Sequence, residues 1–196
     1  MAENLDDLVE AARSCRLYAD HLPLGPRSVL RVLPTARLLI AGHAPGTKVH
    51  ESAIPWNDAS GNCLREWLDF SKSIFYGDTK VAIIPQAFFY PGKGANGDLP
   101  PAPVCWKTWQ AQLHAAMPQV ETFVLAGRYA QTYQLGDVRK RTLSKTVAAC
   151  REYFLRCFPV PHPSWHNNHW LKAHPWFERD LVPELRERVR QLLDVS

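Results

Sequence analysis

The chain has 196 residues, of which 46% are hydrophobic and 21% charged, a composition typical of a globular protein. Lysine and arginine number 23 against 19 aspartates and glutamates, and the formal net charge of +4 permits a polyanionic partner without requiring one. No apolar run is long enough to cross a bilayer, and the acidic residues 1–10 lack the apolar stretch of a signal peptide. These properties argue against a membrane protein and predict one cytoplasmic domain over residues 1–196.

Apolar periodicity alternates between helical and strand-like patterns along the chain. Helices are predicted at 5–17, from about 60 to 71, and at 104–117, 128–135, 142–151 and 178–193. Buried strands are predicted at 36–41, 80–85, 120–126 and 153–159, and residues 42–61 are predicted to be non-helical. This alternation predicts a three-layer α/β/α sandwich around a mostly parallel four-stranded sheet.

Ligands of such sheets bind beyond the carboxyl ends of the strands. This rule selects four segments, 42–61, 85–97, 127–129 and 162–170. In the first, Gly and Pro form a stiff turn whose backbone N–H groups can face a ligand, followed by an aromatic ring at Trp56 and a carboxylate at Asp58. From this loop alone, the simpler interpretation is that Asp58 or Ser60 caps the next helix and Trp56 belongs to the core.

The last segment carries His162 between two prolines, which restrict its backbone. A rigid loop with His, Ser, Trp and Asn side chains is suited to hold a polar ligand. A zinc site built from His162, His166 and His169 is disfavoured, since the prolines oppose a helix and no His-Glu-x-x-His pattern occurs. The G-x-G-x-x-G match at 92–97 precedes no helix start, which argues against a dinucleotide site.

Together these segments resemble the uracil-DNA glycosylase superfamily. The turn at 42–46 (GHAPG) resembles the G-x-x-P-G of its first motif, in the iron–sulfur and related bacterial branches. Residues 54–61 (IPWNDASG) resemble the downstream part of that motif, and 162–164 (HPS) resembles the second motif. The resemblance runs from about residue 8 to 193. It implies a DNA-repair enzyme that flips out uracil and hydrolyses its N-glycosidic bond, leaving an abasic site.

The resemblance also implies roles for individual residues. Asp58, which matches the downstream aspartate of a metal-free branch, and His162 are the implied catalytic residues, with Glu51 as a second candidate carboxylate. Pro85 stands where the family often has a base-reading asparagine, so Gln86 or nearby backbone is expected to read the base. The implied substrate-binding residues are Gly42, His43, Ala44, Pro45, Gly46, Trp56, Asn57, Gln86, Phe88 and Ser164. The implied DNA-binding residues are Lys48, Lys93, Trp165, His166 and Asn167.

The iron–sulfur branch holds its cluster with four cysteines. Cys15 and Cys105 match the first and fourth, whereas Tyr18 and Phe89 stand at the second and third. Because a cubane cluster needs four thiolates, we expect that the cluster has been lost and that the chain uses no metal or cofactor. The five scattered cysteines otherwise indicate reduced thiols.

Two alternatives stay open at this point. One is a glycosylase for another deaminated base, such as hypoxanthine or xanthine, which Pro85 favours. The other is a protein that binds damaged DNA or abasic sites without turnover, which is favoured by Pro85 and by His43, which stands where some members of the family have an acidic residue. In each case the partner is DNA, and no protein partner or membrane is implied.

Overall fold

The computed structural model describes residues 5–95, 97–154 and 156–194. Its strands are β1 (Leu38–Ala41), β2 (Val81–Ile83), β3 (Lys93–Gly94), β4 (Gly97–Asp98), β5 (Thr122–Ala126) and β6 (Cys157–Val160). Four of them form a sheet in the order β2-β1-β5-β6, and all neighbours are parallel. Every residue of β1, β2 and β5 is buried, as expected of parallel strands that are covered on both faces. β3 and β4 form a separate antiparallel hairpin.

The helices cover both faces of this sheet. They are α1 (Leu5–Arg13), α2 (Thr47–Ser52), α3 (Ala59–Leu68), α4 (Lys72–Gly77), α5 (Pro103–Cys105), α6 (Ala111–Ala115), α7 (Gly127–Leu135), α8 (Leu143–Ala148), α9 (Asn168–Ala173) and α10 (Val182–Leu193). A π-helical turn at Trp106–Gln110 joins α5 to α6, and another at Phe177–Leu181 leads into α10. Short 3-10 turns occur at Ala19–His21, Gly136–Val138, Cys150–Glu152 and Trp165–Asn167.

Alternate strand residues supply the two cores of the sandwich. Leu38 and Ile40 of β1 pack in a cluster that contains α3 and α10, whereas Leu39 packs in a cluster that contains α1 and Leu113 of α6. The two clusters lie on opposite faces of the sheet because successive side chains of a strand point to opposite sides. This arrangement confirms the predicted three-layer α/β/α fold, with a central sheet that is wholly parallel.

The order of the strands fixes where a ligand site can form. β2 lies on one side of β1, and β5 and β6 follow on the other side. The chain therefore adds β2 on one side of β1 and β5 on the other side. The parallel strands β1 and β5 are in register at their carboxyl ends, at Ala41 and Leu125. A crevice opens at such a reversal in open α/β sheets. The segments after β1 and β5, which begin at Gly42 and Gly127, border it.

Some local expectations were wrong. Residues 42–61 are not wholly non-helical, because α2 occupies part of this segment. Six residues are too few for apolar periodicity to be detected, so the helix left no signal in the sequence. The same reason applies to α4 and α9. The helix predicted at 5–17 ends at Arg13. No helix in the described part of the chain is long and apolar enough to cross a bilayer.

Candidate active site

A cavity of about 770 Å³ opens at the carboxyl edge of the sheet. The segments that follow β1, β2, β5 and β6 all contribute to its wall, as the topology requires. Twelve of the residues implied by the resemblance line it: Gly42, His43, Ala44, Pro45, Gly46, Trp56, Asp58, Lys93, His162, Ser164, Trp165 and His166. Parts of the chain that are far apart in sequence thus meet around one space.

Trp56 forms one wall of the cavity. Its backbone is left-handed, with φ of 56°, which is uncommon for a residue with a side chain. The indole packs so closely on Gly42 that a Cβ added there would lie 2.6 Å from Cζ2 of the ring. The centroid of the ring lies 5.5 Å from that of His162, with the planes inclined by 32°. Gly42 therefore leaves the space that brings the indole next to the imidazole.

A buried arginine holds the backbone of Trp56 in this position. The carbonyl of Trp56 accepts hydrogen bonds from the Tyr76 hydroxyl at 3.2 Å and from Arg65 Nη1 at 3.5 Å. Arg65 is only 6% exposed and also donates to the Tyr76 oxygen and to Asn62 Oδ1. Because a buried guanidinium without these acceptors would be costly, the network fixes both Arg65 and the carbonyl that it contacts.

Asp58 has a structural role and also faces the cavity. It is the N-cap of α3, and its Oδ1 accepts a hydrogen bond from the Gly61 N–H at 2.8 Å. The capping role considered from the sequence is therefore present for Asp58, and the same side chain lines the cavity. One carboxylate oxygen is thus anchored, and this fixes the orientation of the other.

His162 lies opposite, in the loop that follows β6. Its carbonyl accepts a hydrogen bond from Asn167 Nδ2 at 2.7 Å, which braces the loop from outside the cavity wall. Burial, aided by the nearby His166, lowers the pKa of His162 to about 4. The imidazole is therefore neutral at physiological pH. Gly127, with φ of 86°, approaches so closely that an added Cβ would lie 3.0 Å from the Cβ of His162.

His43 and Tyr129 form a further part of the wall, with ring centroids 4.9 Å apart. Burial, with a smaller contribution from His162, lowers the pKa of His43 to about 4. The guanidinium of Arg128 lies over the Tyr129 ring at 5.4 Å. Segment 127–129 follows a predicted strand and was therefore expected to border the ligand, but no motif in it indicates roles for Arg128 or Tyr129.

The hairpin β3–β4 covers the cavity from the side of β2. It contributes Lys93 and Asp98, which are paired across the two strands. Asp98 was not identified from the sequence, because no motif marks it and its place depends on how residues 91–102 fold over the sheet edge.

Six of the implied residues lie outside the lining of the cavity: Lys48, the second candidate carboxylate Glu51, Asn57, Gln86, Phe88 and Asn167. Ile83 and Pro85 face the cavity, and since strand side chains alternate, Gln86 points away from it. Gln86 is fully buried, and its side-chain amide has no hydrogen-bond partner among the described residues. Phe88 is also fully buried and belongs to the core on the α1 side of the sheet.

The residues at the four cluster positions do not fit an iron–sulfur group. Cys15 and Cys105 are buried free thiols, and burial raises the pKa of Cys105. Phe89 is a buried hydrocarbon ring and has no donor atom, and Tyr18 supplies a phenol. The described residues include no group of three or more His, Cys, Asp or Glu side chains placed to hold a metal ion. Loss of the cluster stays a prediction, which the iron content of purified protein tests.

The family comparison agrees with this geometry. The model of the uracil DNA glycosylase superfamily matches residues 31–186, which span every strand of the sheet and every residue that lines the cavity except Val29. The match covers well over half of the 196 residues. The chain therefore belongs to the uracil DNA glycosylase superfamily, whose members are DNA glycosylases of base repair.

Proposed function

We propose that this protein removes uracil from DNA by flipping the nucleotide out of the helix and hydrolysing its N-glycosidic bond. The observation that carries the proposal is that Trp56, Asp58 and His162 line one cavity, although more than 100 residues separate the first two from the third. An aromatic face, a carboxylate and a neutral imidazole are the groups that this reaction needs around a base. Flipping costs roughly a few kcal/mol, which stacking on the indole of Trp56 helps to offset.

His162 would stabilise the departing base. As the glycosidic bond breaks, negative charge develops on the base, and the neutral imidazole donates a hydrogen bond to its O2. A pKa of about 4 leaves the imidazole uncharged. A fixed neutral donor is sufficient here, because a dipole that is already oriented needs no reorganisation as charge develops. The proline-bounded loop and the bond from Asn167 supply that fixed orientation.

Asp58 would act on the sugar side of the bond. Its Oδ1 is held by the Gly61 N–H, and the second oxygen is available to orient a water molecule. The negative charge also stabilises the oxocarbenium-like sugar that forms as the base leaves. The water then supplies the hydroxyl that completes hydrolysis, and the base leaves with the proton that balances the reaction.

The rim of the cavity suits contact with the DNA strand. Trp165 is 72% exposed and stacks on His166, with ring centroids 3.7 Å apart. These rings would fill the gap that the flipped nucleotide leaves in the duplex. Ser164 and Lys93, which also line the cavity, would contact the phosphates on either side.

Two substitutions test these roles. Asp58→Asn keeps an N-cap of similar strength and removes the charge, and His162→Gln removes the imidazole. Each should lower single-turnover release of uracil by on the order of a hundredfold, with a modest loss of DNA binding. His169→Gln is the matched control, since His169 lies in the same segment and does not line the cavity. Variants of Asp58 and His162 that react as fast as this control would refute the assignment.

Pro85 favours a second class of target base, such as hypoxanthine or xanthine. Proline has no side-chain amide that could form hydrogen bonds with the edge of uracil. Oligonucleotides that each carry one uracil, hypoxanthine or xanthine distinguish the targets by alkali cleavage at the abasic product. A gel-shift measurement on the same panel separates turnover from binding alone. Binding without release of free base would favour the non-catalytic alternative.

A further inference from the structure

The end of β2 offers no side chain that can read the edge of a base in the cavity. Pro85 faces the cavity but has no N–H, and its carbonyl already accepts a hydrogen bond from Gln110 Nε2 at 3.0 Å. Gln86, the candidate from the sequence, is fully buried and lies outside the lining. The polar group that selects the base must therefore come from another part of the wall.

The hairpin that follows β2 brings a second carboxylate to this wall. Asp98 Oδ2 lies 3.6 Å from the position that a Cβ on Gly46 would take, beside the turn that follows β1. Its side chain makes no hydrogen bond or ion pair with any residue that the structure describes. Burial raises the pKa of Asp98, against the opposing influence of Lys93 and His166, and Asp58 adds to the rise. A partly desolvated carboxylate that makes no hydrogen bond within the described residues is suited to accept one from a ligand.

Charge restricts what that ligand group can be. A carboxylate repels phosphate oxygens, so in a complex with DNA its favourable partner is a base with an N–H. An ionised carboxylate can only accept hydrogen bonds. Cytosine and adenine can donate to a carboxylate only from their exocyclic amino groups, because cytosine N3 and adenine N1 carry lone pairs that a carboxylate repels. Deamination places a hydrogen on these same ring nitrogens, in uracil and in hypoxanthine.

We propose that Asp98 selects deaminated bases by accepting a hydrogen bond from the ring N–H that deamination creates. The inference rests on the proposed function and names its substrate class: the products of base deamination that carry a ring N–H beside a carbonyl, which are uracil, hypoxanthine and xanthine. Thymine and guanine also carry a ring N–H beside a carbonyl, so their rejection falls to other parts of the cavity. Asp98 is thereby a specificity-determining residue, distinct from Asp58, which acts on the water and the sugar.

The test compares uracil with 3-methyluracil, which lacks the ring N–H, at one position of the same oligonucleotide. Asp98→Ala should lower single-turnover release of uracil by about 10- to 100-fold, the usual loss for a hydrogen bond to a charged group. In Asp98→Ala the release of 3-methyluracil should not fall. The preference for uracil over 3-methyluracil should therefore drop by the same factor as the release of uracil. Asp98→Asn, which keeps one acceptor oxygen, should lie between Asp98→Ala and the wild type.

A second measurement does not depend on turnover of the methylated base. Free uracil should inhibit the wild-type protein more strongly than free 3-methyluracil, and Asp98→Ala should respond equally to both. Asp137→Asn is the matched control for loss of one negative charge, because Asp137 follows the end of α7 that is remote from the cavity.

The outcomes separate this inference from the proposed function. A preference for uracil that Asp98→Ala leaves unchanged, in release and in inhibition, would overturn the inference while leaving the glycosylase intact. If the wild type releases no base from uracil, hypoxanthine or xanthine substrates, the proposed function fails and the inference fails with it.

Discussion

Adding one methyl group at Gly42 should disable the site without unfolding the protein. The Cβ of an alanine would lie 2.6 Å from Cζ2 of Trp56. Carbon atoms in contact are separated by about 3.5–4.0 Å, so the ring must retreat by about 1 Å. The carbonyl of Trp56 is held by Tyr76 and Arg65, so the side chain rather than the backbone must absorb the movement. The spacing of 5.5 Å between the indole and His162 would then change.

The expected magnitude follows from this displacement. A misplacement of about 1 Å among groups that position a substrate can cost on the order of a hundredfold in rate. Overpacking of this kind destabilises a protein by about 1–3 kcal/mol, which leaves most domains folded at room temperature. Single-turnover release of base with enzyme in excess measures the loss in rate, and denaturant unfolding measures the loss of stability.

Gly77→Ala is the matched control for Gly42→Ala, since a Cβ added at Gly77 meets no heavy atom within 4 Å. It should release base at the wild-type rate. If Gly42→Ala is folded and reacts within about twofold of Gly77→Ala, the indole does not need its observed position, and the role given to Trp56 is wrong.

Two further predictions concern pH and the DNA contact. The pKa of His43 and of His162 is about 4 in the folded protein and 6.5 in the unfolded chain. Between pH 4 and pH 6.5 the unfolded chain therefore binds more protons than the folded protein. Lowering the pH from 7 to 5 should therefore reduce the free energy of unfolding by about 1–2 kcal/mol for each histidine. Denaturant titrations at the two pH values should show a smaller reduction for His162→Gln than for the wild type. An equal reduction would mean that His162 is not a cause of the pH dependence. Trp165→Ala should weaken binding to uracil-containing duplex by about tenfold, measured by fluorescence anisotropy, and should change the stability by less than about 0.5 kcal/mol, since the side chain is 72% exposed. Unaltered duplex affinity would remove Trp165 from the contact surface.

The sheet and the main residues of the candidate site could be predicted because their signals are local. Each buried strand is a short apolar run, and the strand-end rule converts these runs into a list of segments that border a ligand. Trp56, Asp58 and His162 lie in such segments next to recognisable turns. Their convergence then follows from the parallel topology rather than from any detail of packing.

The rest of the wall depends on geometry that no short pattern encodes. Asp98 reaches the cavity only because a two-stranded hairpin folds across the sheet edge, and the sequence of residues 93–98 resembles an ordinary Gly-rich loop. Gln86 was expected to read the base, yet the alternation of side chains beyond β2 turns it to the opposite face. A shift of one residue in such a segment turns the side chains that face the cavity toward the core and those in the core toward the cavity. The sequence alone does not fix which of the two sets faces the cavity.

The attachment of Trp56 and Asp58 to α3 couples the positions of the two side chains. Asp58 caps that helix, Arg65 within it holds the carbonyl of Trp56, and Arg186 of α10 donates to the carbonyl of Glu66 near its carboxyl end. The indole and the carboxylate are consequently both tied to one helix, so a displacement of α3 moves both. β3 and β4 form a separate hairpin that brings Asp98 to the cavity, so a change within the hairpin can move this carboxylate without displacing α3.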